Sequence, residues 1–311
     1  MRISIGLPFC NNRDTLMDAV RSVFAQTLTD WELICVDDGS DDDSVDFLEQ
    51  INDPRVRVVR DGTRLGLATR LNQVTALARA PFVARMDADD LMHPLRLEKQ
   101  LAHFLANPEI DVLGTQIYSI DRQRYIRGAR GAMPAALTPQ HVLQSGILCH
   151  PTVMARRIWF EKNPYDESWG RVQDRELWCR TFATTLFDEV REPLLFYRED
   201  NDAQGFRKRW RSACAELRIV ARHGLTLAGW KASLQMASRS LLKLALNPAL
   251  HLLGRQSQVF KNRCRELTTA QLAAAQDALE AIQATAVPGW EDPCARSSLP
   301  QNSRRIQRAA A

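Results

Sequence analysis

The sequence lacks the marks of several large protein classes. Its seven cysteines are scattered singly along 311 residues with no C-x-x-C pair, which indicates neither a zinc site nor a disulfide framework. No uninterrupted apolar stretch reaches the roughly 20 residues that cross a bilayer. The short apolar run at the start does not resemble a signal peptide, because Pro8 soon interrupts it. A reducing, cytoplasmic location is therefore expected.

Two glycine-rich phosphate-binding motifs are also missing. A dinucleotide-binding fold needs G-x-G-x-x-G at its first strand-to-helix turn, where this chain reads Gly6-Leu7-Pro8-Phe9-Cys10-Asn11-Asn12. The P-loop pattern G-x-x-x-x-G-K-[ST] does not occur in the sequence. Phosphates bound by this chain would have to be neutralised by a metal ion instead.

Charge is unevenly divided along the chain. Residues 1–202 carry 24 Lys/Arg against 31 Asp/Glu, and residues 203–311 carry 17 against 6. This division predicts an acidic body and a basic appendage that faces an anionic partner, with no nucleic acid among the expected partners.

The first 116 residues alternate strand-like and helix-like segments. Leu16, Val20 and Val23, for example, recur at the spacing of one helical face. Repeated βα units of this kind predict an α/β fold with a mostly parallel sheet and helices on both faces. The predicted strands cover residues 3–7, 33–36, 56–59, 81–86 and 112–115, and the predicted helices cover residues 14–26, 44–51, 67–80 and 95–105.

Two predicted strands end in acidic residues. Asp37 and Asp38 end one, and Asp87, Asp89 and Asp90 end another. Ligands of open α/β sheets bind at the carboxyl ends of the strands. Two Asp separated by one residue can bind one hard cation, which often shares its oxygen ligands with a substrate's phosphates. The alternative is a solvated turn in which one of the last two carboxylates caps the following helix.

Short blocks also follow one another in a fixed order along roughly the first 200 residues. They are Pro8-Phe9-Cys10-Asn11, Ser22-Val23-Phe24-Ala25-Gln26-Thr27, Trp31-Glu32-Leu33, Val36-Asp37-Asp38-Gly39-Ser40, Leu65-Gly66-Leu67, Leu71-Asn72 and Arg85-Met86-Asp87-Ala88-Asp89-Asp90. This order resembles the family 2 inverting glycosyltransferases of GT-A fold, of the bacterial surface-polysaccharide type. The resemblance implies a nucleotide-sugar donor, with a UDP-sugar favoured, and Mg²⁺ or Mn²⁺. It also implies transfer, with inversion, to a hydroxyl of a glycan or lipid-linked acceptor.

The resemblance assigns the donor side residue by residue. Asp89 would hold the metal, Asp87 would face the ribose and sugar, and Asp38, beside Asp37, would accept a hydrogen bond from the base. A tight turn is the alternative for residues 37–40, because Asp-Gly is also an ordinary turn sequence. The residues expected to contact the nucleotide sugar are Pro8, Asn11, Asp37, Asp38, Gly66, Asn72, Arg85, Asp87 and Ala88.

Later blocks resemble the acceptor side of the family. Asp174 would be the base that takes the proton of the acceptor hydroxyl, and His150 and Trp178 are expected nearby. The family's acidic pair is Glu-Asp, whereas Gln173 stands at the first position here. The alternative role for Asp174 is to cap the helix that follows it.

Two departures from the family matter. No His follows Tyr197-Arg198, so the metal would be held by Asp89, diphosphate and water alone, or partly by Asp200 or Asp202. The Q-x-x-R-W block of processive synthases is missing too, which favours transfer of one sugar per acceptor.

The predicted domains are a catalytic unit, residues 1–202, divided into a nucleotide-binding half (1–116) and an acceptor half (117–202), then a basic helical extension, residues 203–287. Within the extension, helices are predicted at residues 207–223, 227–264 and 268–286, the second interrupted at Asn247 and Pro248. The leucines and cations of residues 239–265 indicate either an interfacial segment on an anionic membrane or a subdomain packed on the catalytic unit. Residues 288–311 are predicted to be a disordered tail.

Two rival functions remain open from sequence. A sugar nucleotidyltransferase shares a similar core but should show an early Gly-rich loop with Arg and Lys, which is missing here. A non-catalytic nucleotide-sugar-binding module would keep the fold, although Asp89 and Asp174 are both retained. The sequence therefore favours a metal-dependent inverting glycosyltransferase on the cytoplasmic side. Peripheral contact with the inner face of the membrane is expected if residues 239–265 are interfacial rather than packed on the catalytic unit.

Overall fold

The computed structural model describes residues 1–199, 206–252 and 264–290. These segments form an α/β fold around one curled sheet, followed by helices. The strands are β1 (Ile3–Phe9), β2 (Trp31–Asp37), β3 (Val56–Val59), β4 (Phe82–Arg85), β5 (Leu91–Met92), β6 (Val112–Ile120), β7 (Ile126–Arg130), β8 (Met154–Arg156) and β9 (Phe187–Arg198). The helices are α1 (Arg13–Phe24), α2 (Ser44–Glu49), α3 (Leu67–Leu77), α4 (Arg96–Ala106), α5 (Pro139–Ser145), α6 (Arg157–Lys162), α7 (Gln173–Thr181), α8 (Phe206–Leu252) and α9 (Thr269–Ala284).

The first half of the sheet is parallel, as the sequence predicts. Its strands lie in the order β3-β2-β1-β4, and every pair is parallel. Ile3, Ile5 and Leu7 pack against α1 and α4 on one face, whereas Ile34 and Val36 pack toward α3 on the other. Successive side chains of a strand point to opposite faces, so these fully apolar strands are covered on both sides.

The second half of the sheet is mixed. β8 pairs antiparallel with both β4 and β6, and β6 pairs parallel with β9. The two-residue strand β5 pairs antiparallel with β9, and β7 pairs antiparallel with β6. The short β5 follows the acidic loop directly, so that loop is held between two strands of the same sheet.

The long helix α8 is broken at Gly229, where φ is 74° and ψ is 173°. A β-carbon on Gly224 would lie 2.6 Å from Ser233 Oγ, and Ser240 Oγ donates to Glu216 Oε2 at 3.3 Å. Each contact joins a residue before the break to one at a similar distance after it, so the two arms form an antiparallel helical hairpin, here called the α8 hairpin. The prediction of an interruption at Asn247 and Pro248 is wrong, because the helix continues through them to Leu252.

The last described segments pack on the α/β fold. α9 begins with a capping box between Thr268 and Gln271. Its buried face, which includes Ala275, Ala278 and Ile282, packs against β5, β6 and β9. Beyond it, Trp290 lies against Phe47, with ring centroids 4.1 Å apart, and its Nε1 donates to the Phe47 carbonyl at 3.1 Å. Residues 288–290 are thus ordered, whereas the rest of the predicted tail, residues 291–311, lies outside the described residues. No described helix combines the length and apolar character needed to cross a membrane.

Candidate active site

A cleft opens at the carboxyl ends of β1, β2 and β4. Parallel pairing sets Phe9 beside Asp37 and Gly6 beside Arg85, so the loops that follow these strands meet at one edge of the sheet. The cleft is lined by Pro8, Phe9, Cys10, Asn12, Asp38, Leu67, Arg70, Asp87, Ala88 and Asp89. Five of the predicted donor and metal residues, namely Pro8, Asp38, Asp87, Ala88 and Asp89, are therefore brought together.

Three carboxylates gather at the end of β4. One oxygen from each of Asp87, Asp89 and Asp90 lies within 4.8 Å of the others. A tight turn causes this, since Asp90 N donates to the Asp87 carbonyl at 3.3 Å before β5 begins. Such a group of oxygen ligands fits a hard divalent cation.

The electrostatics of this acidic triad also fit a cation. Asp89 is open to solvent on one side, yet the protein atoms crowded around it and the Asp87 carboxylate raise its pKa to about 6. Asp90 is buried; its Oδ1 accepts the Arg198 N–H at 2.9 Å, whereas Oδ2 has no partner among the described residues. Burial and the two neighbouring carboxylates raise the pKa of Asp90 well above its ordinary value.

Arg85 is the cation beneath the triad. Its side chain is only 4% exposed, and Nη2 pairs with Asp87 Oδ1. Its Nε and Nη1 have no hydrogen-bond partner among the described residues. Asp90, Asp174 and Tyr165 also lie within its electrostatic range and, with Asp87, raise the pKa of this buried guanidinium. Arg85 thus interacts electrostatically with both the acidic triad and the predicted base.

The two aspartates in the turn after β2 make different contacts. Asp37 is buried and accepts hydrogen bonds from the backbone N–H groups of Gly39 and Ser40. These are the contacts expected from the tight-turn alternative. Asp38 Oδ1 accepts the N–H groups of Leu65 and Gly66 at 2.7 and 2.9 Å. Its Oδ2 accepts only the longer hydrogen bond from Gly66 N, at 3.2 Å, among the described contacts, and Asp38 lines the cleft.

Two of the residues predicted to contact the nucleotide sugar hold loops together. The side-chain amide of Asn11 exchanges hydrogen bonds with Asp41. Asn72 donates to the Tyr165 carbonyl and to Glu167, and its Oδ1 accepts the Tyr165 N–H at 2.8 Å. Asn72 therefore ties α3 to the loop that contains Tyr165 and Glu167.

Asp174 stands in the first turn of α7. The residue that begins the helix is Val172, which adopts a left-handed conformation (φ 56°), and no side chain caps this end. Asp174 is therefore not the N-cap, and its half-buried carboxylate lies within the electrostatic range of Arg85 and Tyr165. The role of Asp174 as the base stays a prediction.

The three other acceptor-side residues lie deeper than expected. Gln173 is buried, and Trp178 is fully enclosed in the core against Trp159 and Phe187, which leaves it no surface for an acceptor. His150 is also buried and bonds Tyr165 Oη through Nε2 at 2.8 Å. Burial and the Arg85 charge lower the pKa of His150 well below its usual value, so its ring is neutral.

Sequence reasoning missed Arg70 and Tyr165. Arg70 is 1% exposed and binds Asp38 at 3.1 Å and Asp61 at 2.8 Å, so it fixes the wall of the cleft. An arginine inside the buried face of α3 was a detectable signal, because a buried charge needs partners. Tyr165 follows a proline in an irregular loop, and no local pattern marked it.

Comparison with known proteins agrees with this geometry. Residues 4–164 match the family described as Glycosyl transferase family 2. The EpsE protein of Bacillus subtilis is 31% identical over 65% of this chain and 74% of its own length. The Escherichia coli protein WfgD, described as UDP-Glc:alpha-D-GlcNAc-diphosphoundecaprenol beta-1,3-glucosyltransferase, is 28% identical over 57% of this chain and 68% of its own length.

Solved structures share the fold. TarS 1-349 of S. aureus in complex with UDP-GlcNAc has a TM-score of 0.57 at 16% identity, over 92% of this chain and 82% of that one. Mannosyltransferase PcManGT from Pyrobaculum calidifontis, in complex with GDP-Man and Mn²⁺, has a TM-score of 0.56 at 16% identity, over 90% and 85%. At such identity the likeness shows the fold alone.

The GT-A-like fold, the acidic triad at the end of β4 and these relatives together define a glycosyltransferase. The chain belongs to glycosyl transferase family 2, as its ordered blocks predict. The nucleotidyltransferase alternative is thereby set aside.

Proposed function

We propose that this protein transfers one sugar from a UDP-sugar to an acceptor hydroxyl with inversion, in bacterial surface-polysaccharide assembly at the inner face of the membrane. The observation that carries the proposal is the acidic triad, which lies beside a cleft formed by the ends of three parallel strands. The UDP-glucosyl activity in the name of WfgD and the UDP-GlcNAc bound to TarS support a UDP-sugar donor.

The same triad supports dependence on Mg²⁺ or Mn²⁺. The three close carboxylates and the unpaired buried Oδ2 of Asp90 form a donor set that a divalent cation would complete. Asp89 would be the main ligand, with Asp87 and Asp90 beside it. The bound cation would stabilise negative charge on the departing diphosphate.

The remaining roles belong to the protein's own groups. Pro8 and Asp38 would hold the nucleoside in the cleft, where Asp38 Oδ2 would accept an N–H of the base. Asp174 would take the proton of the acceptor hydroxyl as that oxygen attacks the anomeric carbon. Arg85 would hold Asp87 in place between these two regions.

A donor-hydrolysis screen tests this proposal. The full chain is incubated with Mn²⁺ or Mg²⁺ and a panel of nucleotide sugars, and the released nucleotide is measured. We expect metal-dependent release from a UDP-sugar that falls by about 10²-fold or more in Asp89→Asn, because charge stabilisation at the leaving group is lost. Glu109→Gln, the same change of a carboxylate at an exposed position after α4, should leave the rate unchanged.

Two results would count against the proposal. If no nucleotide binds in the presence of metal, the assignment of the cleft is wrong. If a nucleotide sugar binds tightly but is neither hydrolysed nor transferred to a glycan or lipid-linked acceptor, the chain is a non-catalytic binding module.

Metal affinity should also depend on pH. Since the pKa of Asp89 is raised to about 6, its carboxylate is ionised above that pH and protonated below it, and only the ionised form binds metal. We expect Mn²⁺ affinity to fall about tenfold between roughly pH 7 and pH 5. Calorimetric titrations across this range measure the change, and equal affinity at both ends would contradict it. Asp89→Asn lacks this carboxylate, so it should bind Mn²⁺ more weakly, and its Mn²⁺ affinity should change less with pH.

A further inference from the structure

The outer side of the α8 hairpin exposes large apolar side chains. Trp230, Leu234 and Leu241 follow one another at helical spacing along the second arm, within about 40° of one direction around the helix axis. Together with Leu225 and Leu242, at the tip and beside the stripe, they are 56 to 67% exposed. Here they are called the apolar stripe.

The opposite side of the hairpin is anchored to the catalytic fold. Ile219 of the first arm and Met236 of the second are buried in the same core as α7. Arg218 lies over the Trp169 ring at 4.1 Å, and Glu176 of α7 lies 3.5 Å from His223. The apolar stripe is therefore presented by an element packed on the helix that carries Asp174.

The charged residues of the hairpin are almost all cations. Residues 206–252 contain nine Lys/Arg and a single acidic residue, Glu216, which faces Ser240 between the two arms. Lys231 lies 5.5 Å from the Trp230 ring centroid, and Arg239 is exposed beside the stripe. Residues 253–263 carry three more cations and no acid, so that neighbouring segment brings no complementary charge.

We propose that the apolar stripe and its flanking cations dock on the surface of an anionic lipid bilayer. Exposed Trp and Leu side chains enter the boundary between headgroups and acyl chains, while Lys and Arg contact anionic lipid headgroups. Tryptophan favours this boundary because its ring is apolar and its N–H is polar. A second hairpin of this chain would instead bring cations against cations. The stripe overlaps the segment predicted as interfacial, residues 239–265, at Leu241 and Leu242. The other residues of the stripe lie nearer the turn of the hairpin.

The inference goes beyond the proposed function and does not require it. It places the face that carries α7 close to the bilayer, where a lipid-linked acceptor would be presented. Because α8 does not line the donor cleft, docking and donor hydrolysis can be measured separately.

Vesicle co-sedimentation of the full chain tests the inference. We expect binding to vesicles of phosphatidylcholine mixed with phosphatidylglycerol, weakened by salt, and little binding to phosphatidylcholine alone. The variant Trp230→Ser/Leu234→Ser/Leu241→Ser should bind anionic vesicles about tenfold or more weakly. Lys231→Gln/Arg239→Gln should bind more weakly and lose part of the salt dependence.

The matched control is Leu105→Ser, which removes an equally exposed leucine from α4 and should bind like wild type. Circular dichroism and the rate of donor hydrolysis should be unchanged in all variants, which separates a failure of docking from a failure of folding or of the proposed function. Wild-type protein that ignores anionic vesicles, or a triple variant that binds as well as wild type, overturns the inference. A concentration-dependent dimer that the triple variant abolishes would show that a second copy covers the stripe instead.

Discussion

Replacing Asp174 by Asn is expected to slow sugar transfer by about 10²–10⁴-fold, the usual contribution of a general base. The amide keeps the size of the side chain but cannot accept the acceptor's proton. Donor affinity should be unchanged, because Asp174 is not among the residues that line the nucleotide cleft. Initial rates with a glycan or lipid-linked acceptor give kcat, and calorimetry with the nucleotide sugar gives the donor Kd.

A control substitution separates this role from general effects of charge. Glu161→Gln removes a carboxylate from α6 that pairs only with Arg157 at the surface among the described contacts, and it should leave transfer unchanged. Transfer by Asp174→Asn at the wild-type rate would show that another group is the base. Loss of donor binding in the same variant would place Asp174 on the donor side instead.

Arg85→Met is expected to lower the free energy of unfolding by about 3–5 kcal/mol, because it leaves Asp87 and its neighbours without their buried counter-charge. The Arg85 charge also favours the ionised form of Asp89. Without it, the pH below which Mn²⁺ binding is lost should move upward. Urea unfolding measures the first effect, and calorimetric Mn²⁺ titration at several pH values measures the second.

The pH shift distinguishes an electrostatic role from simple destabilisation, which would not move it. Arg85→Lys should retain much of the wild-type pH dependence but only part of the stability, since an ammonium keeps the charge without the planar fork. Arg79→Met, the same change at an exposed position just before β4, should alter neither. Equal stability and pH dependence of Arg85→Met and wild type would show that Arg85 does not compensate the triad.

Local periodicity was sufficient to predict the first half of the fold. The strands around Ile5 and Ile34 are short apolar runs, and α1 shows a regular apolar face, so their types and order could be read from sequence. The small elements β5 and β7 were not predicted. β5 has only two residues, and its pairing with β9 depends on a partner about a hundred residues later.

Positions of site residues were predictable only where the backbone dictates them. The gathering of Asp87 and Asp89 with Asp38 follows from parallel strands ending at one edge. The burial of Trp178 and the loop contacts of Asn72 depend on packing between distant segments, which short motifs do not encode. In α8, the break at Gly229 lies close to the boundary predicted between residues 223 and 227, whereas the second break predicted at Pro248 does not occur.

The contact between Trp290 and Phe47 has a consequence for the order of events during synthesis. The two residues are 243 positions apart, so at typical translation speeds the ribosome makes Trp290 roughly 12 to 50 s after Phe47. Until then the surface of α2 beside the first strands lacks its aromatic cover. The packing of α2, an element made early, is thus completed late, and a nascent chain stalled before residue 290 should remain sensitive to protease near α2.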